Sequence, residues 1–267
     1  MKTLKFLSLL VVSAMLFSCA KVPLTGRSQL SLVDDKAIQD QAVTAYRDFL
    51  HDPKTKVITN TADAQRIKAV GARIANAINS YMQSNGYGDQ YNYKYEFNLV
   101  DSKDINAWCM PGGKVAVYTG ILPVTRDDAG LATVMGHEIA HAIAHHAAER
   151  YSQMVAAQLG GGVVGVASSG SSQATQQVLG QLYGLGGQLA LLKYSRKQES
   201  EADRMGLIFM AMAGYNPNNA VLFWQRMMAA KQGGGPPEFL STHPSDATRI
   251  TQIKKDLPEA MKYYTGK

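Results

Sequence analysis

The sequence predicts an α+β domain, mostly α, in which a small β-sheet or hairpin precedes one long helix and further helices follow. Three observations predict it. Residues 62–84 carry apolar side chains at helical spacing. Residues 93–118 switch to short runs rich in aromatic and β-branched residues around Pro111-Gly112-Gly113. After Gly120 helical patterning returns and holds for most of the remaining chain.

The 267 residues suit one large domain or two small ones, and 46% apolar content can bury a core. The formal charge of +6 falls to +4 once Lys2 and Lys5 are set aside with the first 18 residues. No block of Lys and Arg is present, so nucleic acid is not expected as a partner.

Residues 1–18 read as a lipoprotein signal peptide. Lys2 and Lys5 open it, and Phe6 to Phe17 is an apolar run of 12, short of the roughly 20 needed to span a bilayer. Leu16-Phe17-Ser18-Cys19 resembles a bacterial lipobox, with Phe17 larger than the usual residue there. Cys19 is therefore the expected lipidation site, residues 19–30 a lipidated tether, and residues 31–267 the folded domain. The expected location is the bacterial cell envelope, lipid-anchored and facing the periplasm, at the outer membrane rather than the inner. Cys109 is the other cysteine, so a lipidated Cys19 leaves no intramolecular disulfide.

Asp34 to Leu50 is predicted as a helix capped by Asp34 or Asp35. Ala62 to Ser84 is a second, with Ile67, Val70, Ile74, Ala77, Ile78 and Tyr81 as its core stripe. Tyr93 to Val100 alternates as a strand, and Ile105 to Met110 with Lys114 to Tyr118 reads as a hairpin. Asp127 to Tyr151 reads as one continuous helix, its N-terminal Asp127-Asp128 matching the helix dipole. Tyr151 to Leu192 holds no charged residue and many glycines. It is expected as a helical hairpin that covers a site as a lid, touches a membrane, or packs quietly on the domain. Tyr194 to Ala213, a helix after Pro217, and Ser245 to Lys262 complete the chain.

The chemistry centres on His137-Glu138-Ile139-Ala140-His141. On a helix, residues four apart share a face, so two imidazoles can occupy two corners of a tetrahedral zinc site. Glu138 then sits where it can take a proton from water. A catalytic site needs a third protein ligand. Six residues after His141 stands Ala147, which excludes a third histidine at that spacing. His145 and His146 are expected behind the ligands or at the surface. Glu199-Ser200-Glu201-Ala202-Asp203 offers the third ligand from another helix. Glu199 is favoured, with Asp203 one turn on to accept the second ring N–H of a ligand histidine, His137 for preference. Glu201, on a different face, is the alternative. Gly206 would let the two helices approach closely.

Together these residues resemble the membrane-linked gluzincin metallopeptidases, the group of HtpX, the type I CAAX prenyl protease and Oma-like proteases, and most closely its small periplasmic lipoprotein members. The resemblance runs from about Leu30 to Ile253. It rests on Asn106-Ala107 with Pro111-Gly112-Gly113, on Gly136 to His141, on His146 to Arg150, and on Ser195-Arg196 with Glu199 to Asp203. Ala213 to Pro217 and Thr242-His243-Pro244 also match. Trp108 stands where Phe is usual. The resemblance implies a zincin-like fold, one Zn2+ per chain held by His137, His141 and Glu199, Glu138 as general base, and Asp203 as an active-site acid. It implies a metalloendopeptidase acting on unfolded or misfolded polypeptides. His243, in a loop, is expected to donate to the oxyanion or to bind zinc as a fourth ligand that holds the enzyme off. Asn106, Ala107, Trp108, Gly112 and Gly113 are expected to bind substrate, because an exposed strand edge can add an extended peptide. Cys109 is expected as a small buried hydrophobe rather than a thiolate switch. The rival readings are a chaperone-like envelope protein with low or gated activity and a non-proteolytic zinc hydrolase.

Overall fold

A computed structural model describes residues 19–160, 194–230, 234–244 and 248–266. The signal-peptide expectation, and most of the 151–192 expectation, lie outside those residues.

Residues 19–30 are not a free tether. Strands β1 (Cys19–Lys21) and β2 (Ser28–Leu30) pair as an antiparallel hairpin. Its turn uses left-handed backbone at Leu24 and Gly26. Val22 is buried in the main core and Leu32 N–H donates to Ser152 Oγ at 2.9 Å. The expectation failed because the apolar and charged groups of this short run find partners on the domain, which composition alone does not reveal.

Helix α1 (Asp35–His51) starts at Asp34, whose side chain accepts from Lys36 N–H. Helix α2 (Ala62–Ser84) is capped by Thr61 and buries Ile67, Val70, Ile74 and Ile78, with Ala77 and Tyr81 packed at the margin. The main sheet has strand order β3-β4-β6-β5, from β3 (Val57–Ile58), β4 (Glu96–Val100), β5 (Ala107–Met110) and β6 (Lys114–Tyr118). β4 and β6 are parallel, while β5 and β6 form the predicted hairpin and leave β5 at the edge. Strand pairing begins only at Glu96, because Tyr93 N–H turns back to the Tyr91 carbonyl, while the rings of Tyr91, Tyr93, Tyr95 and Phe97 pack in series.

After the short helix α3 (Leu122–Thr125), helix α4 (Asp128–Ile143) runs through the centre of the molecule. Every residue from Gly130 to Ile143 is buried, which suits a helix surrounded by other elements. The predicted continuous helix to Tyr151 is broken. His145 takes left-handed backbone (φ 51°), and a separate helix, α5 (His146–Gly160), begins after it. A non-glycine residue holds this conformation when its surroundings fix it. Here His145 Nδ1 lies 2.8 Å from Asp35 Oδ2 and Nε2 lies 3.1 Å from the Tyr93 hydroxyl.

Helix α6 (Arg196–Met212) opens with a Ser195–Gln198 capping box and crosses α4 at very short range. A Cβ on Gly206 would lie 2.9 Å from the His137 backbone nitrogen, and one on Gly136 would lie 3.0 Å from the Gly206 carbonyl oxygen. Helices α7 (Asn219–Ala229), α8 (Glu238–Thr242) and α9 (Thr248–Ala260) pack around this pair. Among the described residues no helix is long and apolar enough to cross a membrane.

The Gly136–Gly206 contact gives a direct test. Gly206→Ala is expected to cost about 1–3 kcal/mol by overpacking and to lower Tm by roughly 2–10 °C. Calorimetry of the purified protein checks it. An unchanged Tm would show that the two helices slide apart freely.

Candidate metal centre and cleft

His137 and His141 stand one turn apart on α4 and bring their Nε2 atoms to 3.1 Å. From α6, Glu199 places Oε1 3.5 Å from His141 Nε2 and Oε2 3.6 Å from His137 Nε2. His243, just after α8, puts Nδ1 3.0 Å from Glu199 Oε1 and 3.3 Å from His137 Nε2. One potential ligand atom from each of the four lies within 4.8 Å of the others, and all four side chains are buried.

The protons on these rings follow from their partners. An ionised carboxylate only accepts, so the nitrogen that meets it at about 3 Å must carry the hydrogen, whereas Glu199, 3.5–3.6 Å from the two Nε2 atoms, makes no such demand on them. His137 Nδ1 faces Asp203 Oδ1 at 2.9 Å, which leaves the lone pair on Nε2. His146 Nε2 faces Glu201 Oε2 at 3.0 Å, and its Nδ1 therefore accepts. His141 Nδ1 lies 2.8 Å from that acceptor and donates to it, leaving its own lone pair on Nε2. Burial lowers the pKa of His137, His146 and, most strongly, His141, which keeps the three rings neutral. Two lone pairs then face each other at 3.1 Å, an arrangement that a cation between them relieves.

Burial opposes ionisation of Glu199. His243, whose Nδ1 lies 3.0 Å from Oε1, leads the groups that more than offset it and hold the carboxyl well below its usual range. Glu199 Oε2 and Glu138 Oε1 are buried without a hydrogen-bond donor among the described residues, although Arg249 Nη1 approaches Glu199 Oε2 as an ion pair at 3.0 Å. Buried polar atoms are normally satisfied, so these oxygens point to a missing partner. The donors are two neutral imidazoles, a carboxylate and a third imidazole within reach. That set suits zinc, and the residues present fit one such ion.

Glu138 lies beside the cluster, with Oε1 3.5 Å from His243 Nε2. Burial raises its pKa to about 7, opposed by the nearby His243 and by the Cys109 backbone N–H that donates to it. Its proton affinity is thus poised near neutrality.

Behind the ligands Arg249 organises the charge. Its Nε and Nη2 both lie 2.8 Å from the Asp203 carboxylate, and its guanidinium sits 3.4 Å from the Trp224 ring centroid. Sequence reasoning passed over Arg249, since one arginine in a charge-rich C-terminal helix carries no local signal. It also left open the place of His146 and Glu201. Glu201 stands outside the four-residue cluster, held by Thr25 Oγ1 at 2.5 Å and Arg27 Nε at 2.6 Å as well as His146. These donors outweigh burial and bring its pKa down to about 2. His145 and His146 are both buried, neither at the surface: His146 lies behind His141, and His145 points away to Asp35.

Asn106, Ala107, Trp108 and Cys109 line a cleft with Glu138, Tyr194, Thr242 and His243. Gly112 and Gly113 do not line it. They form the β5–β6 turn with φ near +80°, where a Cβ on Gly113 would collide with the Tyr95 ring. Tyr118 N–H donates to the Asn106 carbonyl. Antiparallel alternation then turns the backbone groups of Ala107 and Cys109 away from β6, where the Ala107 N–H donates to Asn106 Oδ1 at 2.9 Å and the Cys109 N–H to Glu138. The Cys109 thiol is buried and its pKa is raised by that burial, so it remains protonated.

Comparison with known proteins adds a lineage to this geometry. Residues 62–257 match the model of Peptidase family M48. The mitochondrial metalloendopeptidase OMA1 of Schizosaccharomyces pombe is 41% identical over 171 residues, 62% of this chain and 48% of that protein. The mitochondrial metalloendopeptidase OMA1 of Bos taurus is 32% identical over 246 residues, 90% of this chain and 46% of that protein. The beta-barrel assembly-enhancing protease of Escherichia coli is 27% identical over 196 residues, 71% of this chain and 38% of that protein. The chain thus spans about half the length of the curated relatives it matches, or less. On the match over residues 62–257, which hold all four clustered side chains and Glu138, the chain belongs to Peptidase family M48.

Proposed function

We propose that this chain is a zinc-dependent metalloendopeptidase of the bacterial cell envelope, hydrolysing peptide bonds of misfolded or envelope proteins. The observation that carries the reading is the convergence of two imidazole lone pairs and the Glu199 carboxylate on one point, with Glu138 beside it. His137, His141 and Glu199 are the ligands. Bound there, zinc supplies Lewis acidity toward water and toward a peptide carbonyl. Glu138 accepts the proton of the attacking water and returns it to the leaving amine, a shuttle that a carboxyl near pKa 7 performs in both directions. Asp203 fixes the His137 ring, and Arg249 fixes Asp203. Extended substrate aligns on the β5 edge through the Ala107 and Cys109 carbonyls, since the two N–H groups are held by Asn106 and Glu138, and such backbone pairing selects for unfolded chain rather than for sequence.

A resting state that is nearly off has its own support, because His243 lies within reach of the same ion. His243 would serve there either as a fourth ligand that holds the site off or as a donor to the oxyanion. The envelope location rests on the lipobox-like run before Cys19 and on the name of the E. coli relative. Cys19 begins β1, so a lipid on it would hold the domain against the membrane surface without slack chain.

Four results test the reading. Glu138→Gln is expected to abolish casein cleavage by the purified protein while leaving one zinc bound; unchanged cleavage would sink the mechanism. The same substitution removes a buried group whose folded pKa is raised, so the stability due to its protonated form is lost in wild type as pH rises through about 7. Melts of the metal-stripped proteins should show Glu138→Gln gaining up to about 3 kcal/mol over wild type between pH 5 and pH 8. For the ligands, Glu199→Ala is expected to lose stoichiometric zinc by elemental analysis, whereas Glu201→Ala still binds one ion, more weakly. Finally, His243→Ala separates its two roles: higher basal cleavage marks the resting ligand, and a loss of about 10²–10³ in kcat marks the oxyanion donor alone.

A further inference from the structure

The N-terminal hairpin reaches the back of the metal centre. Thr25 Oγ1 donates to Glu201 Oε1 at 2.5 Å, and Arg27 Nε donates to Glu201 Oε2 at 2.6 Å. Arg27 also grips Glu149 with Nη1 at 2.6 Å and Nη2 at 2.9 Å. Glu149 is held in turn by Gln198 Nε2 at 2.9 Å. The arginine therefore bridges α5 and α6, and its side chain is only 13% exposed. The same Oε2 that accepts from Arg27 also receives His146 Nε2, and His146 Nδ1 receives His141 Nδ1–H.

We propose that Thr25 and Arg27 are positioning residues for the metal centre, acting on His141 through Glu201 and His146. This rests on the zinc reading of His137, His141 and Glu199. The physical argument concerns direction. Each ring in the relay has two nitrogens, and only one order of donors leaves His141 Nε2 with its lone pair toward Glu199 and His137. That order is set at the far end, where an acceptor-only carboxylate must face His146 Nε2. Glu201 is buried, and with its donors removed it would have no fixed orientation toward His146. Thr25 and Arg27 occupy the oxygen faces that His146 leaves open and lock the carboxylate in the one pose that directs the relay. His137 has the matching device in Asp203 and Arg249, both supplied by the C-terminal half. His141 draws its device from the first dozen described residues. Outer partners of metal-bound histidines change affinity by 10–100-fold when removed.

The test uses the full chain, with zinc and cobalt(II) as probes. Arg27→Gln is expected to raise the zinc Kd by about 10–100-fold, and Thr25→Val by a smaller factor. Both should shift the visible bands of the cobalt-substituted protein at temperatures where circular dichroism shows it folded. Ser152→Ala, which frees the hairpin end at Leu32 without touching Glu201, should leave Kd and spectrum as in wild type. Wild-type affinity and spectrum in folded Arg27→Gln and Thr25→Val would overturn the proposal, as would an equal loss in Ser152→Ala. If Arg27→Gln does not fold, Thr25→Val decides alone. Zinc binding that survives His137→Ala and His141→Ala would instead overturn the site reading beneath it.

Discussion

Everything at the centre of this molecule depends on how closely α4 and α6 cross. Gly136 and Gly206 face each other without side chains, and a single methyl group at either would meet backbone at about 3 Å. That contact lets Glu199, one helix away, bring its carboxylate to the two histidine nitrogens of α4. A wider crossing would leave two imidazoles and a base with no third ligand. Glycine in the middle of a helix costs about 1 kcal/mol against alanine. Both helices accept that cost at their point of contact.

The second requirement is electrical. Neutral imidazoles must present lone pairs to one point inside a dry core. Burial supplies neutrality by lowering the pKa of each ring. Direction comes from carboxylates that can only accept: Asp203 for His137, and Glu201 through His146 for His141. Each carboxylate is itself held by an arginine, Arg249 or Arg27. The two arginines come from opposite ends of the chain. The metal centre is thus a junction of four segments distant in sequence, which makes its assembly part of folding the whole domain.

Much of this was legible beforehand. The H-E-x-x-H spacing, the Glu199/Asp203 pair four residues apart, and Gly206 three further on carry their geometry in helical periodicity. The core stripe of α2 and the β5–β6 hairpin were equally plain, because period and turn residues are local signals. The break at His145 was not. Its residues suit a helix, and only Asp35 and Tyr93, over 50 residues away, hold it in left-handed backbone. Without that break His146 would continue along the helix rather than turn back to His141. Gly112 and Gly113 stand in the turn rather than along the cleft. They were expected at the substrate, yet both take positive φ in the β5–β6 turn, and a Cβ on Gly113 would meet the Tyr95 ring.

The sequence by itself determined the local pieces: which helix faces carry ligands, where the hairpin turns, and which carboxylate can stand behind which ring. Those follow from periods of 3.6 and 2 and need no long-range information. Only the tertiary structure decided that Glu199 rather than Glu201 meets the histidines, that Arg249 compensates Asp203, and that residues 19–30 dock instead of trailing. These choices turn on which buried charge finds which partner across more than 40 residues of chain. Pairing of that kind is a property of packed, desolvated surfaces and leaves no periodic mark on the sequence that encodes it.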